Sequence, residues 1–297
     1  MPLQRLAGPV HYLPGVTNAG VIIGEGNQAI LIDTGSGDRS GRAILRALDE
    51  AGLRPSAIMS THGHGDHTGG HAWIVERTGA RVYAPGLDAV VLEQPAWGTI
   101  CLFMGAEPPP ELAVPRYAPR PCRVDVLVEE GVYREAGVTI QAVPLHGHTG
   151  SHTGYLVEGV LFTGDAVEGR REMEAPKLSY LHSVTCQLAT LEYLRTFPCE
   201  RYLLAHDEPT AEIGGLLERN LAHIHNVIEL LLGELAAGPQ PAADLLAAVC
   251  RHYGLAPRHL RDYALLHSTL HSYLGHLLTT GQARYELADG KLLWTVA

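Results

Sequence analysis

The sequence contains little cysteine and no long apolar run. Its five cysteines are widely spaced and form no Cys-x-x-Cys pair, which argues against a disulfide scaffold or a cysteine-based zinc ribbon. No run approaches the roughly 20 apolar residues that a transmembrane helix needs. Residues 1–15 also lack the basic and then apolar pattern of a signal peptide. We therefore expect a cytoplasmic protein with no membrane partner.

Charged residues are also scarce, at 18% of the chain, and the acidic excess gives a formal net charge of -10. A broad nucleic-acid-binding surface is not expected at that charge, although a local basic patch is compatible with it. The length of 297 residues and the hydrophobic content of 46% suit one large domain, or a core of about 200 residues with a small appendage.

Histidine is abundant: the 17 histidines outnumber the Phe, Met, Trp and Cys residues together. Four side chains that could bind a metal lie within six residues, directly after a predicted strand at 57–61. Crowded imidazoles and a carboxylate gain nothing from packing unless a cation satisfies them. Imidazole and carboxylate together suit zinc, with manganese or iron as alternatives. The four residues are His62, His64, Asp66 and His67.

Further candidate ligands follow other predicted strands. The two ions of a binuclear site lie about 3.5 to 4 Å apart, so such a site needs more ligands than one loop provides. His148, Asp165 and His206 each come directly after a predicted strand. If these strands end at one edge of a sheet, all the candidate ligands converge there.

The chain divides best at Gly238-Pro239-Gln240-Pro241, which follows a long amphipathic helix predicted over 212–235. Domains are therefore predicted at 1–237, containing the ligand motifs, and 238–297. The second contains a helix over 242–253, a short helix near Arg258, a third helix with a leucine stripe, and a hairpin around Asp289-Gly290. That order is typical of a winged helix. The proline-rich stretch 95–121 is predicted to be a long loop or lid.

These motifs resemble those of the metallo-β-lactamase superfamily of binuclear metallohydrolases. The resemblance covers about residues 10–210 and implies an α/β fold, a four-layer αββα sandwich, here followed by the small winged-helix-like domain. Five motifs carry it in order along the chain: Asp-Thr-Gly at 33–35, His-x-His-x-Asp-His at 62–67, Gly-His-Thr at 147–149, Thr-Gly-Asp at 163–165, and a final histidine at 206.

The resemblance also implies a role for each candidate ligand. Two divalent ions, with zinc favoured, would share Asp165 as a bridging ligand, and Asp33 would support the ligands from behind. The other ligands divide between the ions: His62, His64 and His148 on one, and Asp66, His67 and His206 on the other.

Two motifs depart from the family pattern. His146 stands where Pro is usual before Gly147-His148, which makes it a rival ligand. Asp207 follows the last histidine in place of Gly; it either orients His206 or caps the following helix, and we favour the cap. Tyr180 and His182 lie near the ligand segments and are candidate substrate contacts.

Two divalent cations lower the pKa of a shared water from 15.7 toward about 7, and Asp66 can orient the resulting hydroxide, so hydrolysis is the expected reaction. The expected substrate is a small ester, thioester, lactone or related molecule. An RNA phosphodiesterase and a metal-containing nucleic-acid-binding regulator are the alternatives.

Residues 239–297 carry five basic and four acidic side chains, which are too few cations to bind phosphates tightly. We therefore expect this tail to form a lid, a pocket wall or a dimer contact, and helix 212–235 to bury part of its stripe in a homodimer.

Overall fold

The computed structural model describes residues 2–175 and 177–297, which form two large sheets, a small third sheet and ten α-helices. The first sheet has seven strands in the order β1 to β7, antiparallel from β1 to β4 and parallel from β4 to β7. Its strands are β1 (Gln4–Ala7), β2 (Val10–Leu13), β3 (Ala19–Ile23), β4 (Gln28–Ile32), β5 (Arg54–Met59), β6 (Arg81–Pro85) and β7 (Val126–Val128).

The second sheet has five strands in the order β12-β11-β10-β9-β8, and the pair β11 and β12 is parallel. Its strands are β8 (Gly131–Glu135), β9 (Val138–Pro144), β10 (Thr153–Val157), β11 (Val160–Gly164) and β12 (Arg201–Leu204). The third sheet, in the order β13-β15-β14, consists of β13 (Gln240–Pro241), β14 (Ala283–Ala288) and β15 (Lys291–Val296).

The helices cover the outer faces of the two large sheets, and among the described residues none is long and apolar enough to cross a membrane. The helices are α1 (Gly37–Glu50), α2 (Gly65–Thr68), α3 (His71–Thr78), α4 (Gly86–Glu93), α5 (Ala96–Leu102), α6 (Arg170–Met173), α7 (Val184–Leu194), α8 (Gly214–Ala236), α9 (Ala242–Tyr253) and α10 (Leu260–Thr279).

Three layers of apolar packing hold the architecture together. Side chains of both large sheets, such as Ile30, Met59 and Tyr155, meet in a core between them. Residues of α1, such as Ile44 and Leu48, cover the outer face of the first sheet, and α7 and α8 cover that of the second. Central strands therefore have both faces buried, which explains their continuous apolar runs. The predicted four-layer αββα sandwich is confirmed.

The segment after residue 238 packs in the same apolar core as α7 and α8. The leucine stripe of α8 is buried there against α9 and α10, so it leaves little apolar surface for the homodimer contact that we expected on this helix. A homodimer therefore stays a prediction. The prediction of a short helix near Arg258 is wrong, because residues 255–259 contain no helix and α10 begins at Leu260.

The stretch 95–121 is only partly the loop that we predicted, because α5 begins directly after Pro95. Proline suits the start of a helix, where its missing N–H has no partner to lose. Residues 103–121 follow as turns and irregular backbone. Glu111 in this part accepts a hydrogen bond from the backbone N–H of Leu260, at 3.0 Å, and so ties the loop to the first turn of α10.

Candidate metal centre

The ends of five strands bring the predicted ligands to one edge of the two large sheets. Asp33 follows β4, and the loop 60–68 follows β5, which runs parallel to β4. From the second sheet, His148 follows β9, while Asp165 and His206 follow the parallel strands β11 and β12. Parallel neighbours end at the same edge, which is why side chains distant in sequence meet here.

Three imidazoles and a carboxylate form the first cluster, with all ligand atoms within 4.8 Å of one another. His64 Nδ1 lies 3.1 Å from His62 Nε2 and 3.0 Å from His148 Nε2. Asp165 Oδ2 lies 3.3 Å from His148 Nε2. This arrangement brings together the residues expected on one ion.

Asp66, His67 and His206 form the second cluster, again within 4.8 Å. Asp165 Oδ1 lies 3.1 Å from His67 Nε2 and 3.2 Å from His206 Nε2. The two oxygens of Asp165 therefore face different clusters, which is the position expected of a bridging ligand. Their roles as ligands stay a prediction.

Asp33 holds the first-sheet ligands from behind. Its Oδ2 accepts hydrogen bonds from His67 Nδ1 at 2.8 Å and from the Thr61 hydroxyl at 2.7 Å, and its Oδ1 accepts the Thr61 backbone N–H at 2.8 Å. The backbone of Asp33 is left-handed, with φ of 57°. This uncommon conformation turns the buried carboxylate toward the loop after β5.

These hydrogen bonds fix the proton positions on three imidazoles. Since the Thr61 hydroxyl donates to Asp33, it accepts from His62 Nδ1 at 3.0 Å. His67 Nδ1 donates to Asp33, and His206 Nδ1 donates to the Val16 carbonyl at 2.7 Å. In its neutral form, each ring therefore presents the Nε2 lone pair to the centre of the site.

An imidazole lone pair and a carboxylate oxygen that face each other repel unless a cation or a proton lies between them. Among the described residues, the buried atoms His67 Nε2 and Asp165 Oδ1 face each other without a hydrogen bond of good geometry. A divalent cation would satisfy both atoms, and imidazole nitrogen with carboxylate oxygen is a donor set that zinc accepts. The residues present therefore fit a metal.

The carboxylate of Asp165 also controls which of the imidazoles are protonated. Burial alone would lower the pKa of His67 and His206, but the negative charge of Asp165 outweighs it, raising the pKa of His67 well above its usual value and that of His206 to about 9. For His62 and His148, burial prevails and lowers the pKa well below its usual value. Without metal, protons supply the positive charge next to Asp165.

Metal affinity is therefore expected to fall as the pH falls from about 9 toward 6, because ions must displace protons from His206 and His67. Zinc titration by calorimetry at pH 7.5, in two buffers of different ionisation enthalpy, is expected to report the release of one to two protons per protein, as an order-of-magnitude expectation. An affinity that does not change over this pH range would contradict the raised pKa values of His206 and His67.

Three buried residues support the ligand segments, and two of them, His71 and Asp88, were not singled out from the sequence. His71 lies between the hydroxyls of Thr34 and Ser60, at 2.7 Å from each, and burial lowers its pKa to about 4, so it stays neutral. Asp88 accepts the backbone N–H of Gly63 at 2.8 Å. Nothing in the local sequence separates these residues from ordinary polar side chains.

The third residue, His152, accepts the backbone N–H of Asp165 at 3.0 Å, which fixes the start of the segment that carries the shared carboxylate. Burial lowers its pKa to about 3, so its Nε2 remains an acceptor. Its ring stacks on His62 with centroids 4.9 Å apart. From the sequence, its position four residues after His148 places it near the ligand segments but does not indicate this contact.

Glycines allow the close packing around the ligands. A Cβ at Gly65 would lie 2.6 Å from the carbonyl oxygens of Pro115 and Arg116, which are backbone atoms and cannot swing away. Gly164 has φ of +53°, and a Cβ there would lie 2.7 Å from His152 Nε2. Both positions require the absence of a side chain.

The other candidates from the sequence lie in different environments. His146 is exposed and outside both clusters. Tyr180 packs edge-on against His64 and His148, with ring centroids 5.4 and 5.5 Å away, and lines the cavity beside the site together with His182. These two positions agree with a substrate contact, which stays a prediction.

We predicted that Asp207 caps the helix that follows it, but the structure shows that it caps a different helix. Asp207 Oδ2 accepts the backbone N–H of Arg170 at 2.6 Å, so the carboxylate caps α6, which comes earlier in the chain. It does not orient His206, whose Nδ1 bonds to Val16 instead. Only the packing of β12 beside the start of α6 could reveal this contact.

Comparison with known proteins finds similar sequences. Residues 12–206 match the model of the metallo-beta-lactamase superfamily. The chain is 26% identical over 283 residues to the lactamase-like protein ptaB of Pestalotiopsis fici, covering 92% of this chain and 78% of that protein. It is 31% identical over 148 residues to a hydroxyacylglutathione hydrolase of Dechloromonas aromatica, covering 50% of this chain and 43% of that protein.

The fold is found in solved structures as well. A beta-lactamase domain protein from Burkholderia ambifaria superposes with a TM-score of 0.77 at 20% sequence identity, and the match covers 100% of this chain and 97% of that one. The superposition therefore extends beyond the ligand-bearing sandwich to the helices and the small sheet after residue 238.

Proposed function

Since the chain belongs to the metallo-beta-lactamase superfamily, we propose that it is a binuclear metal-dependent hydrolase that cleaves a small ester, thioester or lactone. The expected hydrolase class is confirmed by curated relatives that are named hydrolases. The use of two ions, the choice of zinc and the substrate are the proposal. The observation that carries it is the position of Asp165, whose two oxygens face two separate clusters of ligand atoms.

Bound metal ions would polarise a carbonyl oxygen and lower the pKa of water, which supplies the nucleophile at neutral pH. The protein's own contribution is to hold the donor atoms with their lone pairs inward, through Asp33, Thr61 and Val16. Such fixed orientation removes the cost of arranging the ligands during each turnover.

Asp66 is the residue that we assign to orienting the attacking water. Burial would raise the pKa of its carboxyl, but the charges of His67 and His64 prevail and lower it, so the carboxylate is ionised at neutral pH. Its oxygens can accept a hydrogen bond from water and hold it toward the substrate. Arg116, with Nη2 3.8 Å from Asp66 Oδ2, restrains the carboxylate from the side of the cavity.

An ester or thioester fits the surroundings better than a phosphodiester. The cavity beside the ligands is lined mainly by apolar side chains, whereas a polyanion needs several clustered cations. The Dechloromonas relative is named for an acylated glutathione, which is a thioester, and this name supports the same chemistry here. RNA cleavage and nucleic-acid binding remain the less favoured proposals.

The domain division at 237/238 and the winged-helix-like character of residues 238–297 also remain proposals. The helices α9 and α10 and the hairpin β14-β15 support them. The absent helix near Arg258 and the core shared with α8 are departures from an independent winged helix.

Metal analysis combined with turnover tests the proposal. Protein prepared with zinc is expected to contain about two ions per chain and to cleave generic thioesters or esters, and chelation is expected to abolish the cleavage. Manganese and iron provide parallel samples. A well-folded protein that binds no metal would refute the proposal, and salt-sensitive duplex binding without turnover would favour the regulator instead.

A further inference from the structure

A cavity of about 560 Å³ opens directly beside the ligand clusters. His64, Asp66, His148 and Asp165 lie at one end of it, and the rest is enclosed by α4, α5, the residues around Arg116 and the C-terminal helix α10. Its volume falls within the range of pockets that hold a small organic ligand, about 300 to 1,000 Å³. A substrate at the ligands must therefore place part of its structure in this cavity.

The cavity walls expose large apolar side chains that a folded protein normally buries. Leu87 is 65% exposed, Val90 is 45% exposed and Trp97 is 51% exposed, and all three line this cavity. Single exposed apolar residues are common on protein surfaces, but several around one concavity indicate a binding surface. Their exposure means that an apolar ligand would remove them from water.

The helix α10 contributes Leu265 and Ser268 to the cavity wall. It is fixed at both ends of this wall: Glu111 accepts the backbone N–H of Leu260 at 3.0 Å, and the Ser272 hydroxyl accepts the backbone N–H of Val184 at 2.9 Å. The wall therefore has a defined distance from α4 and α5. A larger side chain at 265 would therefore reduce the space that the cavity offers to a ligand.

We propose that this cavity binds one unbranched or aromatic apolar moiety of the ester or thioester substrate, and that Leu265 limits the length of that moiety. The inference rests on the proposed function for the position of the scissile bond at the ligands. The exposed apolar surface of Leu87, Val90 and Trp97 suits an apolar moiety better than the peptide groups and carboxylates of a glutathione moiety, which would gain no hydrogen bonds from these three side chains.

Two series of substrates test the proposal and identify which side of the scissile bond enters the cavity. In the first, the acyl chain is lengthened from acetyl to decanoyl with a fixed thiol; in the second, the thiol is lengthened with a fixed acetyl group. In one series, kcat/KM is expected to rise about fourfold per methylene until the cavity is full. Equal kcat/KM values throughout both series would overturn the proposal.

Substitutions at Leu265 provide the second test. Leu265→Trp is expected to lower kcat/KM for the longest good substrate at least about tenfold and to leave the acetyl substrate nearly unchanged, whereas Leu265→Ala is expected to favour longer chains. Leu278→Trp is the matched control, because Leu278 is an exposed leucine on the same helix, outside the cavity. The same length profile in both tryptophan variants would refute the role of Leu265.

Binding of neutral alcohols separates this inference from the proposed function. Hexanol, octanol and decanol contain no bond that the protein can hydrolyse, and calorimetry with the zinc-loaded protein is expected to show affinity that rises with chain length and falls in Leu265→Trp. Alcohol binding without ester cleavage would support the cavity and refute the hydrolase. Ester cleavage without alcohol binding and without chain-length dependence would refute the cavity and support the hydrolase.

Discussion

Replacing Asp165 with alanine is expected to remove the tightly bound ions from both clusters and to lower kcat/KM by at least about a thousandfold, or about 4 kcal/mol of transition-state stabilisation. Asp165 is the carboxylate that both clusters share, facing His67 and His206 with Oδ1 and His148 with Oδ2. Its loss leaves these imidazoles facing one another without the anion between them. Metal analysis after dialysis and the rate of thioester cleavage measure the two effects.

Asp207→Ala is the matched control for this experiment. Asp207 lies beside His206 in sequence, but its carboxylate caps α6 and bonds to none of the ligand side chains among the described residues. The Asp207→Ala protein is expected to keep both ions and to lose only the stabilisation that a helix cap provides, about 0.5 to 2 kcal/mol. A folded Asp165→Ala protein that retains both ions would contradict the bridging position.

Replacing His148 with alanine is expected to remove tight metal binding at one cluster and to lower kcat/KM at least about a hundredfold, whereas His146→Ala is expected to leave both ions bound. The reason is geometric. His148 Nε2 lies 3.0 Å from His64 Nδ1 and 3.3 Å from Asp165 Oδ2, while the His146 side chain is exposed outside both clusters.

The two histidines are close in sequence, so each variant serves as the control for the other. Zinc content per chain and competition with a coloured chelator would give the number of tight sites in each. Equal loss of metal from both variants would mean that the third motif is misaligned by two residues.

The fold class and the grouping of the ligands could be predicted because both depend on short sequence patterns at strand ends. The loop 62–67 concentrates its donors within one turn, and a buried parallel strand delivers it to the sheet edge. His148, Asp165 and His206 follow the same rule in the second sheet. The structure brings all of these side chains together.

Supporting contacts could not be predicted because they depend on tertiary packing. Asp88 comes from α4, and His152 becomes important only once the segment at Asp165 lies against it. Asp207 was assigned to the wrong helix for the same reason, since α6 reaches it through packing and not through sequence. The prediction of a helix near Arg258 failed because the short stretch 255–259, which contains Pro257, has no local pattern that decides its conformation.

The cavity wall formed by α10 could be predicted only in part. Because residues 239–297 carry too few cations to bind nucleic acid, a pocket wall was one of the roles expected for them. No sequence pattern, however, identifies Leu265 as the side chain that lines the cavity. The helix carries several leucines, and its packing against α9, β14, α7 and α5 determines which of them is buried and which lines the cavity.

The candidate ligands are divided between the two sheets, so metal binding as proposed would come late in biosynthesis. A nascent chain that has completed the first sheet already contains the donors at 62–67, but those at 148, 165 and 206 have not yet joined them. Full coordination of the proposed ions would require the second sheet to dock on the first, so bound ions would link the two sheets. The metal content of a newly made molecule would then report whether the two sheets have docked.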